Sequence, residues 1–337
     1  MKVLLITGDA GHVQGWGDLE TTRNMCKAIE ESGKEAEILY VNNMEELERG
    51  LKTLRFDIVW SALYHVSENG EYVGLASSDT SWIGDILNER GIPFIGPGAQ
   101  TMKDLINKSA TTNILRNANI PVPEQHVVNE GEEIYVDKFP MIVKPCFESE
   151  STGICEESVV CSQQELIKRL NYIHNTFRQP ALVEEYLPGR EFTVAVLKNG
   201  SNREILPVEN IIERNAYENY PLVTVELKVK DLISFSVPKV NYNESIALAN
   251  DAAEVLCCYD HIRIDMREDV TGKLKIIEVN GIPGLNPIKS RSLQIHSLYY
   301  PGFSKKENFK MLINKIVDSA IERHGIGHSL SYSGVNG

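Results

Sequence analysis

The stretch Ile262-Arg263-Ile264-Asp265-Met266-Arg267-Glu268-Asp269-Val270-Thr271-Gly272-Lys273-Leu274-Lys275-Ile276-Ile277-Glu278-Val279-Asn280 reads as two strands, 262–267 and 274–279, joined by a turn at 269–272. Side chains alternate faces along a strand, so Arg263 and Asp265 share one face, as do Glu278 and Asn280. A turn centred near 271–272 sets Asp265 almost opposite Glu278. Like charges directly across a ladder destabilise it. Two carboxylates and an amide carbonyl in one place are hard oxygen ligands, and a Mg²⁺ ion shared with phosphate oxygens suits them. The alternative is a solvated edge hairpin in which Lys273 and Lys275 offset the acids. The turn sequence Gly281-Ile282-Pro283-Gly284-Leu285 follows directly. Glycine there lets a backbone amide approach a ligand or a developing oxyanion.

Upstream, Lys144 ends an apolar strand, Met141–Lys144, just before Pro145 and the loop 146–153. A lysine in that position either snorkels or pairs. Facing a loop of small residues, it can hold a phosphate that loop amides and hydroxyls cover. The extended segment 183–187 can offer a backbone donor and acceptor to a base, and Glu191, past the turn 187–189, can take a ribose hydroxyl.

The remaining chain sets the frame. Strands expected at 2–7, 35–41 and 57–63 alternate with helices at 19–32 and 44–54, and a short strand lies within 91–98, which together indicate an open parallel sheet. A helix is expected over 103–119 and another after the capping box Ser162–Glu165, with Leu166, Leu170, Ile173 and Phe177 on its apolar face. Strands follow at 181–185, 192–197 and 204–208, then an irregular polar stretch 213–240, a helix 244–257 and a last helix 307–323. The spacing divides the chain into 1–100, 101–188 and 189–325, with a flexible tail 326–337. The N-terminal loop 8–17 is glycine-rich but carries neither GxGxxG nor GxxxxGK[ST], so it argues against a dinucleotide fingerprint and a P-loop.

With 337 residues the chain can build two or three domains. Its net charge of −13 and lack of a long basic run weigh against nucleic acid as a partner. No apolar run approaches the ~18–20 residues needed to span a membrane. The polar turn after residue 6 does not suit a signal peptide, and the six cysteines form no CxxC pair, so a cytoplasmic protein with reduced thiols is expected.

The series Phe139–Pro145, Glu148-x-x-Ser151-x-Gly153, Val183-Glu184-x-x-Leu187-x-Gly189-x-Glu191, Arg263-x-Asp265 and Glu278-x-Asn280-x-x-Pro283-Gly284 resembles the ATP-grasp superfamily, and its order and spacing are closest to the D-alanine–D-alanine ligase family. His65-x-x-Glu68-Asn69-Gly70 is more loosely similar. The resemblance implies an α/β (α+β) ATP-grasp fold, in which an open parallel-sheet domain precedes two α+β domains that sandwich ATP. It implies that Lys108 and Lys144 bind ATP phosphates, with Glu148 and Ser151 in the covering loop. Glu184, Tyr186 and Leu187 would frame the adenine and Glu191 the ribose. Asp265, Glu278 and Asn280 would hold two Mg²⁺ ions, with Mn²⁺ as a substitute. Arg263 and the Gly284 amide would stabilise the acyl phosphate and the tetrahedral intermediate. The implied activity is ATP-dependent, ADP-forming joining of a small carboxylate and an amine, both amino acids, into a dipeptide or related amide. Two alternatives stand beside it: loading of an amino acid onto a carrier protein, and a nucleotide-binding regulator with a dead substrate site. The family's habit of pairing points to a homodimer. The chain departs from the family at Glu150, where dipeptide-forming members carry serine, and around Lys289, Ser290 and Arg291, where a serine would meet the second substrate. Only Glu20 stands near the place of the family's first-helix glutamate. The amino-acid pockets therefore read as rebuilt.

Overall fold

The computed structural model describes residues 1–67, 80–148 and 151–326. Glu68, Asn69, Gly70, Glu150 and the tail from residue 327, all singled out by the sequence, lie outside the described residues.

The β-branched and leucine-rich strand Lys2–Thr7 is flanked by parallel partners, Glu35–Tyr40 on one side and Ile58–Ser61 on the other. Phe94–Ile95 extends the sheet beyond Ile58–Ser61. Alternation splits the first strand between two cores, as a sheet covered on both faces requires. Leu4 and Ile6 pack with Leu47, Leu51, Ile83 and Leu87. Val3 and Leu5 pack toward the helices Leu19–Glu30 and Lys305–His324. The glycine loop forms a single helical turn, Gly11–Gln14. A Cβ on Gly15 would meet the Ala62 carbonyl oxygen at 2.0 Å, so glycine there serves chain packing.

A second sheet is antiparallel, in the order Gln125–Val128, Ala181–Glu185, Met141–Pro145, Val159–Val160. Val143, Ala181 and Val183 pack against Leu166, Leu170 and Ile173 of the helix Gln163–Phe177. The opposite face presents Lys144 and Glu184. Ser162 caps that helix on the Glu165 amide, but the Glu165 carboxylate reaches one residue further back than a capping box would, to the amide of Cys161.

The third sheet is antiparallel too, in the order Ile233–Ser236, Glu204–Ile212, Glu191–Leu197, His261–Glu268, Leu274–Asn280. Phe192, Val194, Val196, Ile262, Ile264 and Met266 turn one face toward the helix Tyr242–Val255. Ala195, Leu197, Leu206 and Val208 occupy the other face and pack under Leu293, Leu312, Ile316 and Val317.

Three sequence expectations need correction. The helix expected over 103–119 is two, Ala99–Ile106 and Lys108–Asn117. Asn107 leaves helical geometry and its side chain caps the second helix on the Ala110 amide, at 3.2 Å. The stretch 213–240 is not irregular throughout: it holds the short helix Val225–Val229, capped by Thr224, and the edge strand Ile233–Ser236. The helices Ile83–Glu89 and Arg291–Tyr299 had no counterpart in the sequence reading. All six cysteines are free, and among the described residues no helix is long and apolar enough to cross a membrane.

Asp260 ties the layers together. Its carboxylate accepts from the Gly96 amide at 2.8 Å, Asn199 Nδ2 at 2.7 Å and Arg323 Nη2 at 2.7 Å. Asp260→Ala leaves a mostly buried guanidinium and a buried amide without their acceptor. The expected cost is about 3–5 kcal/mol, read as a lower urea midpoint, with Asp260→Asn losing less because asparagine also tolerates the φ of +64° at this position.

Candidate active site

The central and C-terminal sheets face each other across an open cleft. Period-two alternation supplies its polar lining. Glu191 and Thr193 project from one strand, Arg263, Asp265 and Arg267 from the next, and Asn210 from the neighbour on the other side. Asp265 stands directly opposite Glu278 in the ladder, and an irregularity follows at Asp265/Met266.

The repulsion anticipated between these acids is quenched by cations, though not by Lys273 or Lys275. Arg263 Nη2 lies 2.9 Å from Asp265 Oδ2, and Lys108 Nζ lies 3.1 Å from Glu278 Oε1. Lys275 pairs instead with Glu185, at 2.6 Å. Lys108 reaches the C-terminal sheet because it is the first residue of the helix that Asn107 caps, and its ammonium also donates to the Glu148 carbonyl. Burial pushes the Glu278 carboxyl up, but Lys108, Arg263 and Lys144 outweigh it and hold it at about 2. Asp265 also accepts from Thr193 Oγ1 at 2.9 Å, and the Asn280 amide nitrogen leans on it at 3.4 Å.

The donor set fits a divalent cation. Among the described residues no three His, Cys, Asp or Glu side chains form a closed metal cage. Two carboxylates and an amide on one hairpin are hard oxygen donors of the kind that a divalent cation such as Mg²⁺ takes together with phosphate oxygens and water.

On the opposite wall, Lys144 Nζ lies 2.5 Å from Glu184 Oε2. Lys144 is buried and paired, so it does not snorkel. Glu184 Oε1 is buried with no hydrogen-bond partner, an acceptor left open at the cleft. Tyr186 and Leu187 follow on the extended segment, and Tyr186 meets Tyr220 edge-on at 5.3 Å. Glu191 accepts from Arg267 Nη1 at 3.1 Å and Asn210 Nδ2 at 3.0 Å. Burial nevertheless leaves its carboxyl above the usual range. Glu148 accepts from Gln179 at 2.9 Å, and Ser151 receives Lys228 Nζ at 2.9 Å. Burial, with Arg263 and Arg291 nearby, pulls the Lys228 ammonium down to about 8.

The cleft gathers Lys108, Lys144, Glu148, Ser151, Glu184, Tyr186, Leu187, Glu191, Arg263, Asp265, Glu278 and Arg291. Gly284, Lys289 and Ser290 do not line it: Lys289 is exposed and Ser290 is buried as the residue before the helix Arg291–Tyr299. Asn280 enters only through Asp265. Glu20 pairs with Arg23 at the surface, while Asp18 caps the helix Leu19–Glu30 and Trp16 is buried. The sequence reading missed Thr193, Asn210, Arg267 and Lys228 as lining residues. Alternation from Glu191 and Asp265 would have found Thr193 and Arg267. Asn210 needed the strand pairing, and Lys228 the helix inside 213–240.

Known proteins resemble this chain in the same region. Residues 110–318 match the family model described as D-ala D-ala ligase C-terminus. A D-alanine–D-alanine ligase of Aquifex aeolicus is 28% identical over 309 residues, which is 89% of this chain and 94% of that protein. An uncharacterized protein of Sinorhizobium fredii, y4sG, is 29% identical over 249 residues, 71% of this chain and 69% of its own length. A D-alanine–D-alanine ligase from Bacillus anthracis, solved in complex with ATP, shares the fold with a TM-score of 0.67 at 20% identity, over 96% of this chain and 99% of that one. The enzyme from Coxiella burnetii gives 0.63 at 16% identity, over 97% and 98%.

Two outcomes test this geometry. Lys144→Met strands the Glu184 carboxylate and should cost about 3–5 kcal/mol in a denaturant titration, most of it recovered in the double variant with Glu184→Gln. The second concerns His261, which lies on the same strand face as Arg263 and donates to or accepts from Ser292 at 3.1 Å. Burial and the Arg263 charge hold its imidazole down to about 3, against 6.5 in the unfolded chain. Between those values the unfolded chain binds the extra proton, so stability falls as pH drops through that window. His261→Gln should flatten this part of the pH–stability curve.

Proposed function

The chain belongs to the D-alanine–D-alanine ligase family, and so to the ATP-dependent, ADP-forming C–N ligases; on that premise we propose that it joins two small amino acids into a dipeptide through an acyl phosphate in the cleft described above. The observation that carries this reading is the convergence of Lys108, Lys144, Glu184, Glu191, Arg263, Asp265 and Glu278 on one cleft from segments scattered between residues 108 and 278. The three sheets support a division of the chain into 1–100, 101–188 and 189–325, with ATP between the last two.

Glu184 Oε1, buried without a donor, suits the amino group of an adenine, with Tyr186 and Leu187 framing the ring. Glu191, held by Arg267 and Asn210, accepts from ribose hydroxyls. Lys108 and Lys144 exchange carboxylate partners for phosphate oxygens, and the segment carrying Glu148 and Ser151 closes over them. Ligases of this family use ATP and Mg²⁺. Asp265, Glu278 and the Asn280 amide oxygen would hold the metal, which supplies neutralisation of phosphate charge during transfer. Arg263, now the counter-charge of Asp265, would be free to offer its fork to the oxygens of the carboxylate being activated once the metal took over that charge. Orientation by these fixed groups makes the following amine attack effectively unimolecular. Free thiols and the need for ATP fit a cytoplasmic setting.

The deciding measurement is ADP release over a panel of D- and L-amino acids, with the product identified by mass. Asp265→Asn and Glu278→Gln should each cut turnover by about two orders of magnitude or more while far-UV circular dichroism stays unchanged. Near wild-type ADP release by both variants at saturating Mg²⁺ would refute the metal assignment.

A further inference from the structure

The cleft floor carries a chain of hydrogen bonds that has no task in that scheme. Glu191 and Thr193 lie two residues apart on one strand and share its cleft face. Asn210 stands directly opposite Glu191 on one neighbouring strand, and Asp265 directly opposite Thr193 on the other. Asn210 Nδ2 donates to Glu191 Oε1 at 3.0 Å and, diagonally, to Thr193 Oγ1 at 3.1 Å. Thr193 Oγ1 in turn donates to Asp265 Oδ1 at 2.9 Å. The chain crosses three strands and joins the carboxylate assigned to a ribose to one assigned to a metal ion.

The direction of each bond is fixed. The Asp265 carboxylate, paired with Arg263, only accepts, so it takes the single hydroxyl hydrogen of Thr193. The Thr193 oxygen can then only accept from Asn210, and the Asn210 amide cannot be turned over. Both of its hydrogens are committed, which leaves Oδ1. That oxygen is buried without a hydrogen-bond partner among the described residues, on a side chain only 8% exposed. An unmet buried acceptor is costly. A diol brings two adjacent hydroxyls, which can meet Glu191 and this neighbouring oxygen together. At the far end, Arg263 also donates to Asp265 Oδ1, at 3.2 Å, but as a cation it repels a metal ion. Thr193 is neutral and can keep its hold when a metal arrives. A diol at one end and a metal at the other therefore order the same side chains, and each meets a chain that the other has already set.

We propose that Asn210 and Thr193 are positioning residues that couple nucleoside binding at Glu191 to divalent-cation binding at Asp265, so that this protein takes its metal more tightly when a ribose diol is in place. The coupling rests on the ribose and metal assignments of the ligase reading. By linkage it is reciprocal: the diol contributes more to nucleotide affinity when the metal is present.

The test is calorimetry on the full chain with a non-hydrolysable ATP analogue and its 2′,3′-dideoxy counterpart, each titrated with saturating Mg²⁺ and again in EDTA. In wild type, loss of the hydroxyls is expected to weaken binding about ten- to hundredfold with Mg²⁺. In EDTA that factor should be smaller, by about three- to tenfold. Thr193→Val removes the hydroxyl hydrogen and keeps the shape, and the two factors should then agree, while Thr193→Ser restores the difference. A residue that served only the fold would shift all four affinities together and leave their ratio standing. Should Thr193→Val not fold by far-UV circular dichroism, Asn210→Leu interrupts the chain one link earlier and should abolish the difference in the same way. Hydroxyls that matter equally with and without Mg²⁺ in wild type, or a difference that survives either variant, end the coupling and leave the ribose and metal assignments in place. Hydroxyls that make no difference in either condition remove the ribose from Glu191, and nucleotide binding that ignores Mg²⁺ removes the metal from Asp265. Either result defeats the assignments of the ligase reading, and the coupling with them.

Discussion

Asp265 and Glu278 face each other across two hydrogen-bonded strands, and much of the cleft is organised around keeping them there. Two like charges ~4 Å apart repel by about 4 kcal/mol at an effective dielectric near 20, a large fraction of the net stability of a domain. The chain answers with one cation per acid. Arg263 comes from the same strand, two residues away. Lys108 comes from outside the C-terminal sheet, on a helix that precedes the central one. That helix packs on the last strand of the C-terminal sheet, and the ammonium compensates Glu278 while also donating to the Glu148 carbonyl of the central wall. Any ligand that brings its own charge to these carboxylates must loosen the contact that joins the walls.

The central wall solves the same problem differently. Lys144 and Glu184 are buried as a pair, which desolvation makes costly in isolation. The arrangement is retained where both groups line the cleft and one carboxylate oxygen still lacks a donor. Unused bonding capacity collects at this cleft: Glu184 Oε1 on one wall and Arg291 Nη1 on the far edge of the other. Asn210 Oδ1 and Arg267 Nε, also of lining residues, lack partners too, and four such atoms at one cleft mark places where a ligand completes the network.

The C-terminal sheet uses a single face for two purposes. Ala195, Leu197, Leu206 and Val208 are apolar because two helices cover them. Glu191, Thr193 and Asn210 continue the same alternation and are polar because nothing covers them. The helix Arg291–Tyr299 draws that boundary, and its first side chain becomes part of the floor.

What the sequence determined by itself was local and periodic. The hairpin register that opposes Asp265 to Glu278 follows from strand alternation and a turn of known centre. The parallel N-terminal sheet follows from apolar runs separated by helices. The placement of Lys144 and Glu184 follows from their strands, and the family resemblance followed from the order of such pieces. Tertiary structure decided whatever depends on a partner distant in the chain. Asn107 breaks a helix because capping its second half sends Lys108 to Glu278, 170 residues away along the chain. The stretch 213–240 is ordered by contacts that bring Lys228 to Ser151 and Phe235 under Arg291. Lys289, Ser290 and Arg291 are equivalent as sequence, all short-range candidates for one substrate. Lys289 and Ser290 precede the helix, the first exposed in a turn and the second buried in extended backbone, and only Arg291, at the first helical position, enters the cleft.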